Sequence, residues 1–225
     1  MDIIRFVDPE TACFILGKNS SYLFRSLEHY KDLERYNGDT EVGDRFENLP
    51  AINQEGTTHT YTALGQHLVS CWAIINSATP QASDWKALST YAGGVAIVST
   101  VTKVENFLTE IVDLVLGRTW SLNHEKVKYY NEDEIPGKMQ GINAPFYKRK
   151  RYEKQKEYRF ALQNGFDLLS NNNKVYIKDL LLTVEKPDAY IDRVYFSPTI
   201  SKDQKEKVIQ SAYLGRNRHL LNNDG

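Results

Sequence analysis

The sequence predicts an α+β fold, one domain in which strands and helices are mixed irregularly. Three observations predict it. Short apolar or alternating runs such as "IIRFV", "GVAIVST" and "EYRFAL" are interspersed with helical patterns, without a steady strand-helix-strand rhythm. The 225 residues are 41% hydrophobic and 25% charged, values of a globular chain rather than a disordered one. That length is enough to bury a core without cross-links, and the two cysteines, Cys13 and Cys71, both sit in apolar surroundings as reduced core residues.

Taken in order, "IIRFV" is a first strand with Arg5 among apolar neighbours. "DPETACFILGK" is a short helix with Asp8 as N-cap, Pro9 at the first helical position and Gly17 as its stop. "SSYLFRS" is a second strand, and "LEHYKDLERY" a short polar helix after it. Residues 37–58, rich in Gly and Asn, read as a polar loop or flap. "LVSCWAII" is a buried strand, and "SDWKALSTYA" a helix capped by Ser83 that stops at Gly93 and Gly94. "GVAIVST" follows as a core strand. "TKVENFLTEIVDLVLG" is an amphipathic helix with Val104, Phe107, Leu108, Ile111 and Val115 on its apolar face and a Gly117 stop. "EKVKYY", "EYRFAL", "KVYIKDL", "LTVEKP" and "YIDRVYFSP" are further strand signals. "SKDQKEKVIQSAYLG" is a last helix capped by Ser201, and residues 216–225 form a tail expected to fray.

Net charge is −1, so no global basic field marks a nucleic-acid binder, although a local patch remains compatible. The cysteines and five histidines lack the spacing of a metal site. "MDIIRF" has no basic segment leading into an apolar one, and no apolar run is long enough to span a bilayer. The chain is therefore expected to be soluble and cytoplasmic.

Several segments together carry a resemblance: "IIRFVD…ILG…YLFRSLEHYKD", "SCWAIIN…SDWKALSTYAGGVAIV", "VKYY" and "FYKRKRYEKQKEYRFAL". Across residues 3–198 in outline, the chain resembles a large, mostly uncharacterised bacterial family. Its members have an Arg on the first strand, a Trp-x5-Tyr before a Gly-led core strand and a late Glu-aromatic-Arg. That family in turn is similar to mono-ADP-ribosyltransferases. The resemblance implies a single ADP-ribosyltransferase-like domain over residues 1–225 with a split mixed and antiparallel sheet. It also implies NAD as substrate, without a metal, and the role of a toxin or anti-phage effector. Carried over residue by residue, it implies Arg5, then Ser26 or Tyr22, then Glu157. The chain departs from the pattern at Gln155, where a Glu-x-Glu motif would have its first acid, and at "RFV" in the first strand.

The chemistry asks for these residue types. Breaking the nicotinamide–ribose bond leaves positive charge on the sugar, which a carboxylate at the ribose stabilises. An Arg suits the pyrophosphate because of its planar fork. Glu157 is the candidate acid, with Arg159 beside it on the same strand face lowering its pKa; the bland alternative is a solvent-facing ion pair. Arg5 is the candidate cofactor cation or else a structural salt-bridge partner, Glu157 included. Ser26 is either a ribose-orienting hydroxyl or the cap of the following helix. Tyr22, Tyr30, Trp85, Tyr91 and Arg159 are candidate cofactor contacts, against the default that the aromatics pack in the core. Lys148, Arg149, Lys150 and Arg151 form a basic run, either a solvated face or a contact for a nucleic acid or partner protein.

Three readings compete. The first is a mono-ADP-ribosyltransferase acting on RNA, DNA or protein, with a neutralising antitoxin as partner. The second is a non-enzymatic member that binds a nucleotide or protein. The third, a metal-dependent nuclease, lacks the needed acid and lysine cluster, since "EKQK" has Gln where a metal site would want a charged residue.

Overall fold

A computed structural model describes residues 1–27, 67–77, 79–88, 93–117, 120–131, 145–164 and 179–222. The fold is mixed α+β with mostly antiparallel strand pairing. The chain divides into two compact units: residues 1–23, 72–108 and 181–225 form the first, and residues 24–71 and 109–180 the second.

In the first unit, β1 (Asp2–Val7) pairs antiparallel with β4 (Val95–Thr100), opposing Arg5 to Ile97. β10 (Arg193–Phe196) pairs antiparallel with the other edge of β4. β1 also pairs with the end of β3 (His67–Ile74), through Ile3 with Ile74 and Ile4 with Ala73. Because side chains alternate along a strand, β1 sends Ile4 and Phe6 to one face and Ile3, Arg5 and Val7 to the other. The Ile4 face is an apolar cluster with Ala73, Ile75, Ala96 and Val98, against which Phe6, Trp85 and Tyr195 pack.

Helix α1 (Pro9–Leu16) begins as the sequence predicts: Asp8 accepts from the Thr11 amide at 2.8 Å and Pro9 occupies the first turn. Helix α2 (Ala82–Leu88) starts earlier than expected, so Ser83 lies inside it rather than at its cap. The start is instead tied by Asp84, whose carboxylate accepts from the Gln81 amide at 2.8 Å. Helix α3 (Val101–Ile111) buries Val104, Phe107 and Leu108, and continues as a wider helical turn over Val112–Leu116 before Gly117 at φ 71°. That change of pitch turns Val115 outward, off the predicted apolar face. Helix α4 (Lys202–Leu214) has a full capping box between Ser201 and Gln204.

The expected fraying tail is ordered as far as Asn222. Asn217 donates to the Leu16 carbonyl at 2.8 Å, Leu220 and Leu221 are buried, and Leu221 bridges to Val194. Burial of two leucines and a satisfied amide outweigh the entropy that a polar terminus would keep.

In the second unit, Arg25 and Ser26 of β2 (Ser21–Ser26) pair with Val69 and Leu68 of β3. β5 (Trp120–Lys126) and β8 (Glu157–Asn164) form a long antiparallel pair, and β8 also pairs with β3. The Asp179 end of β9 (Asp179–Thr183) meets Arg25 in an ion pair of 3.6 Å. A separate parallel pair joins β6 (Lys128–Tyr130) to β7 (Tyr147–Arg149), followed by a 3-10 turn over Lys150–Gln155. "EKVKYY", expected as one strand, is thus the end of β5 and a new strand β6.

Candidate functional site

Glu157 is the first residue of β8, reached through Lys156 in a left-handed conformation at φ 45°. The two-residue period puts Glu157 and Arg159 on one face, while Tyr158, Phe160 and Leu162 take the other. The face is not wet: Glu157 is 8% exposed, and Arg159 and Lys148 are 1% exposed. A solvent-facing pair is therefore excluded. Arg159 Nε donates to Glu157 Oε2 at 2.7 Å, and Lys148 Nζ donates to Oε1 at 2.6 Å. The clamp is extended by Gln155, whose side-chain oxygen accepts from Lys148 at 2.8 Å, and by the Pro145 carbonyl, which accepts from Arg159 at 2.8 Å.

Burial alone would raise the carboxyl pKa of Glu157. Arg159 and Lys148 outweigh it by charge and by hydrogen bonding, and hold the group at about 2, so it is ionised at neutral pH. Arg159 does lower the pKa of Glu157, as the spacing predicts, with Lys148 as a second cation that the spacing does not reveal. Tyr129, opposite Lys148 in the β6–β7 register, accepts from the Glu157 backbone amide through its hydroxyl at 2.9 Å. Burial first, and then the Glu157 charge, raise the Tyr129 pKa, so this half-buried phenol stays protonated.

The basic run divides. Lys148 and Arg149 are buried, which corrects the expectation that all four cations face a macromolecule; Lys150 and Arg151 are exposed. The reason is Tyr152, itself buried. Its hydroxyl accepts from Arg149 and from Arg151, and its ring lies 4.6 Å from Lys148 Nζ. A buried aromatic ring and a buried carboxylate together draw two of the four cations inward.

In the first unit, Arg5 is half-buried and donates to the Leu23 carbonyl at 3.1 Å. Near it stands an aromatic group. Tyr22 meets Tyr190 edge-on with ring centroids 4.9 Å apart, Phe107 lies 4.8 Å from Tyr190, and the Trp72 indole donates to the Tyr22 hydroxyl at 3.2 Å. Tyr190 is buried, and its pKa is raised by burial and then by Tyr22, with Arg5 acting in the opposite direction. Trp85 lies on the other face of β1, edge-on to Phe6 at 4.9 Å. Arg5 and Trp85 therefore do not line one wall, and Trp85 takes the packing role that its spacing predicts by default. Ser26 is a buried strand residue of β2 opposite Leu68.

Tyr30, Tyr91, the 37–58 loop and, after Leu27, the helix expected over 27–36 lie outside the described residues. Sequence reasoning missed Tyr129, Tyr190 and Gln155 as members of these groups. The signal for Tyr129 was the adjacent pair in "KVKYY", but nothing in its spacing couples it to Glu157. Among the described residues no group of three or more His, Cys, Asp or Glu is placed to hold a metal ion, and no helix is long and apolar enough to cross a membrane. Compared with protein-family models, curated proteins and solved structures, the chain matches none.

Proposed function

We propose that the chain is a mono-ADP-ribosyltransferase with an ADP-ribosyltransferase-like split sheet, using NAD as substrate and no metal. The observation that carries this reading is Glu157: a buried carboxylate kept ionised by two cations at the start of a core strand. The proposed reaction breaks the bond from ribose C1′ to the nicotinamide nitrogen. Nicotinamide leaves with the bonding pair as a neutral amide, the acceptor nucleophile bonds to C1′, and the acceptor loses its proton. A fixed negative charge beside the ribose stabilises the cationic sugar in between. Arg159 and Lys148 fix the acid, and the resemblance gives the pyrophosphate to Arg5.

Lys150 and Arg151, exposed on the 3-10 turn, suit the phosphates of an RNA or DNA acceptor or the acids of a neutralising antitoxin. In this reading the chain is a cytoplasmic toxin or anti-phage effector. A second reading, a non-enzymatic nucleotide- or protein-binding member of the same fold, is favoured by one observation: both oxygens of Glu157 are already engaged by cations.

The test is incubation with NAD labelled in its adenylate half, together with RNA, DNA and a protein mixture in turn. Label transfer by the native chain, lost in Glu157→Gln with a folded circular-dichroism spectrum, supports the transferase. Should that variant fail to fold, Glu157→Asp, which keeps the charge at shorter reach, replaces it. If the native chain gives neither transfer nor nicotinamide release with any acceptor, the transferase reading falls.

A further inference from the structure

The first unit carries an apolar surface that the proposed reaction does not use. Phe14 of α1 is 66% exposed, and Tyr213 and Leu214 at the end of α4 are 66% and 70% exposed. These side chains belong together because the two helices meet at their C-terminal ends. A β-carbon on Gly215 would press into the Leu16 carbonyl oxygen and lie 2.6 Å from that of Gly17. Asn217 then closes the junction by donating to the same Leu16 carbonyl. All three exposed side chains lie within about one helical turn of that meeting point.

The chain supplies three exposed cations at the junction: Lys18 directly follows Gly17, Arg216 directly follows Gly215, and Arg218 opens the next turn. Of the exposed acids on the segment before β10, Asp188 faces His219 at 3.9 Å, and Glu185 follows Val184, whose amide donates to the Ser20 carbonyl. Exposed acids on the helices themselves, Glu10, Asp203 and Glu206, stand a turn or more toward the N-terminal ends.

Arg216 also has a left-handed backbone, at φ 61°. Glycine or asparagine takes that conformation at little cost, and a long branched cation does not. A strained cation kept beside an exposed apolar group is the pattern expected where strain is tolerated for recognition.

We propose that this junction docks an acidic protein segment with aromatic or aliphatic anchors, the anchors covering Phe14, Tyr213 and Leu214 and the acids meeting Lys18, Arg216 and Arg218. Charge decides between occupants. A second copy related by a two-fold axis would bring the same cations face to face. An anionic membrane calls for a denser basic cluster than three residues.

A displayed peptide library selected on the native chain, and counter-selected on the Phe14→Ser/Leu214→Ser double variant, tests this. The expected result is enrichment of net-negative peptides containing Phe, Trp, Leu or Ile. Their binding should fall about tenfold in Arg216→Gly, while that variant melts no lower than the native chain because the strain is relieved. Absence of enrichment, neutral or basic winners, or binding that persists undiminished in Arg216→Gly overturns the proposal. So does concentration-dependent dimerisation, or binding to phosphatidylserine vesicles, that the double variant abolishes.

Discussion

Arg159 Nε lies 2.7 Å from Glu157 Oε2, two residues earlier on β8, and both side chains are buried. With Lys148 on the other oxygen, one carboxylate neutralises part of a doubly cationic environment. Removing its charge leaves Lys148 and Arg159 without that acid in a region poor in water. Glu157→Gln is therefore expected to destabilise the fold by about 3–5 kcal/mol, read as a lower urea midpoint with an unchanged slope. Replacing Glu157 and Arg159 together by Met should cost clearly less than the sum of the single changes, because no orphan charge from that pair remains. Additive losses would show that the pair is not coupled.

The same clamp sets an acid limit. The folded carboxyl titrates at about 2, against an ordinary value of 4.5. A group whose folded pKa is depressed stabilises the fold above its unfolded pKa and loses that contribution as pH falls through the folded one. Stability from Glu157 should thus be complete above about pH 5 and decline between pH 4.5 and 2, by roughly 2–4 kcal/mol. Comparing urea midpoints across that range for the native chain and for the Glu157/Arg159 double Met variant isolates the effect. A native decline no steeper than that of the variant would contradict it.

What the sequence reveals and what it hides have physical causes. Asp8, Pro9 and Ser201 announce their helices because caps act within a few residues of themselves. The two-residue period of "EYRFAL" likewise puts Glu157 beside Arg159. Burial of Lys148 and Arg149 is invisible, because a charge run looks solvated until the folded chain places Tyr152 and Glu157 against it. The ordered tail is hidden because its support comes from Leu16 and Val194, far away in sequence. Arg5 is legible as a half-buried cation, but its hydrogen bond to the Leu23 carbonyl is not, because backbone groups leave no mark in a sequence.

At the helix junction the tightest contact belongs to Gly215. A methyl group there meets backbone oxygens of Leu16 and Gly17, and backbone cannot rotate away as a side chain can. Gly215→Ala is expected to lower stability by about 2–3 kcal/mol, despite the better helix propensity of alanine. A thermal midpoint equal to that of the native chain would mean that α1 and α4 separate without loss.

The Tyr129 hydroxyl accepts from the Glu157 amide. Tyr129→Phe keeps the ring and strips that acceptor, at a cost of about 1–2 kcal/mol. Amide hydrogen exchange at Glu157 should accelerate in the variant while the amides of β5 stay protected. Uniform acceleration would assign Tyr129 to global packing instead.

Arg5 separates binding from chemistry. Its NH1 group is tied to the Leu23 carbonyl, and its neighbours Tyr22 and Tyr190 are held by their own contacts. Arg5→Met keeps an unbranched apolar stem and should disturb the fold by about 1 kcal/mol. In the transferase reading the pyrophosphate contact is the same in ground and transition states, so the loss falls on KM, about tenfold or more, with kcat nearly constant. A loss confined to kcat would move Arg5 to the reacting ribose. An unchanged KM and kcat would remove it from the site, leaving a structural strand arginine.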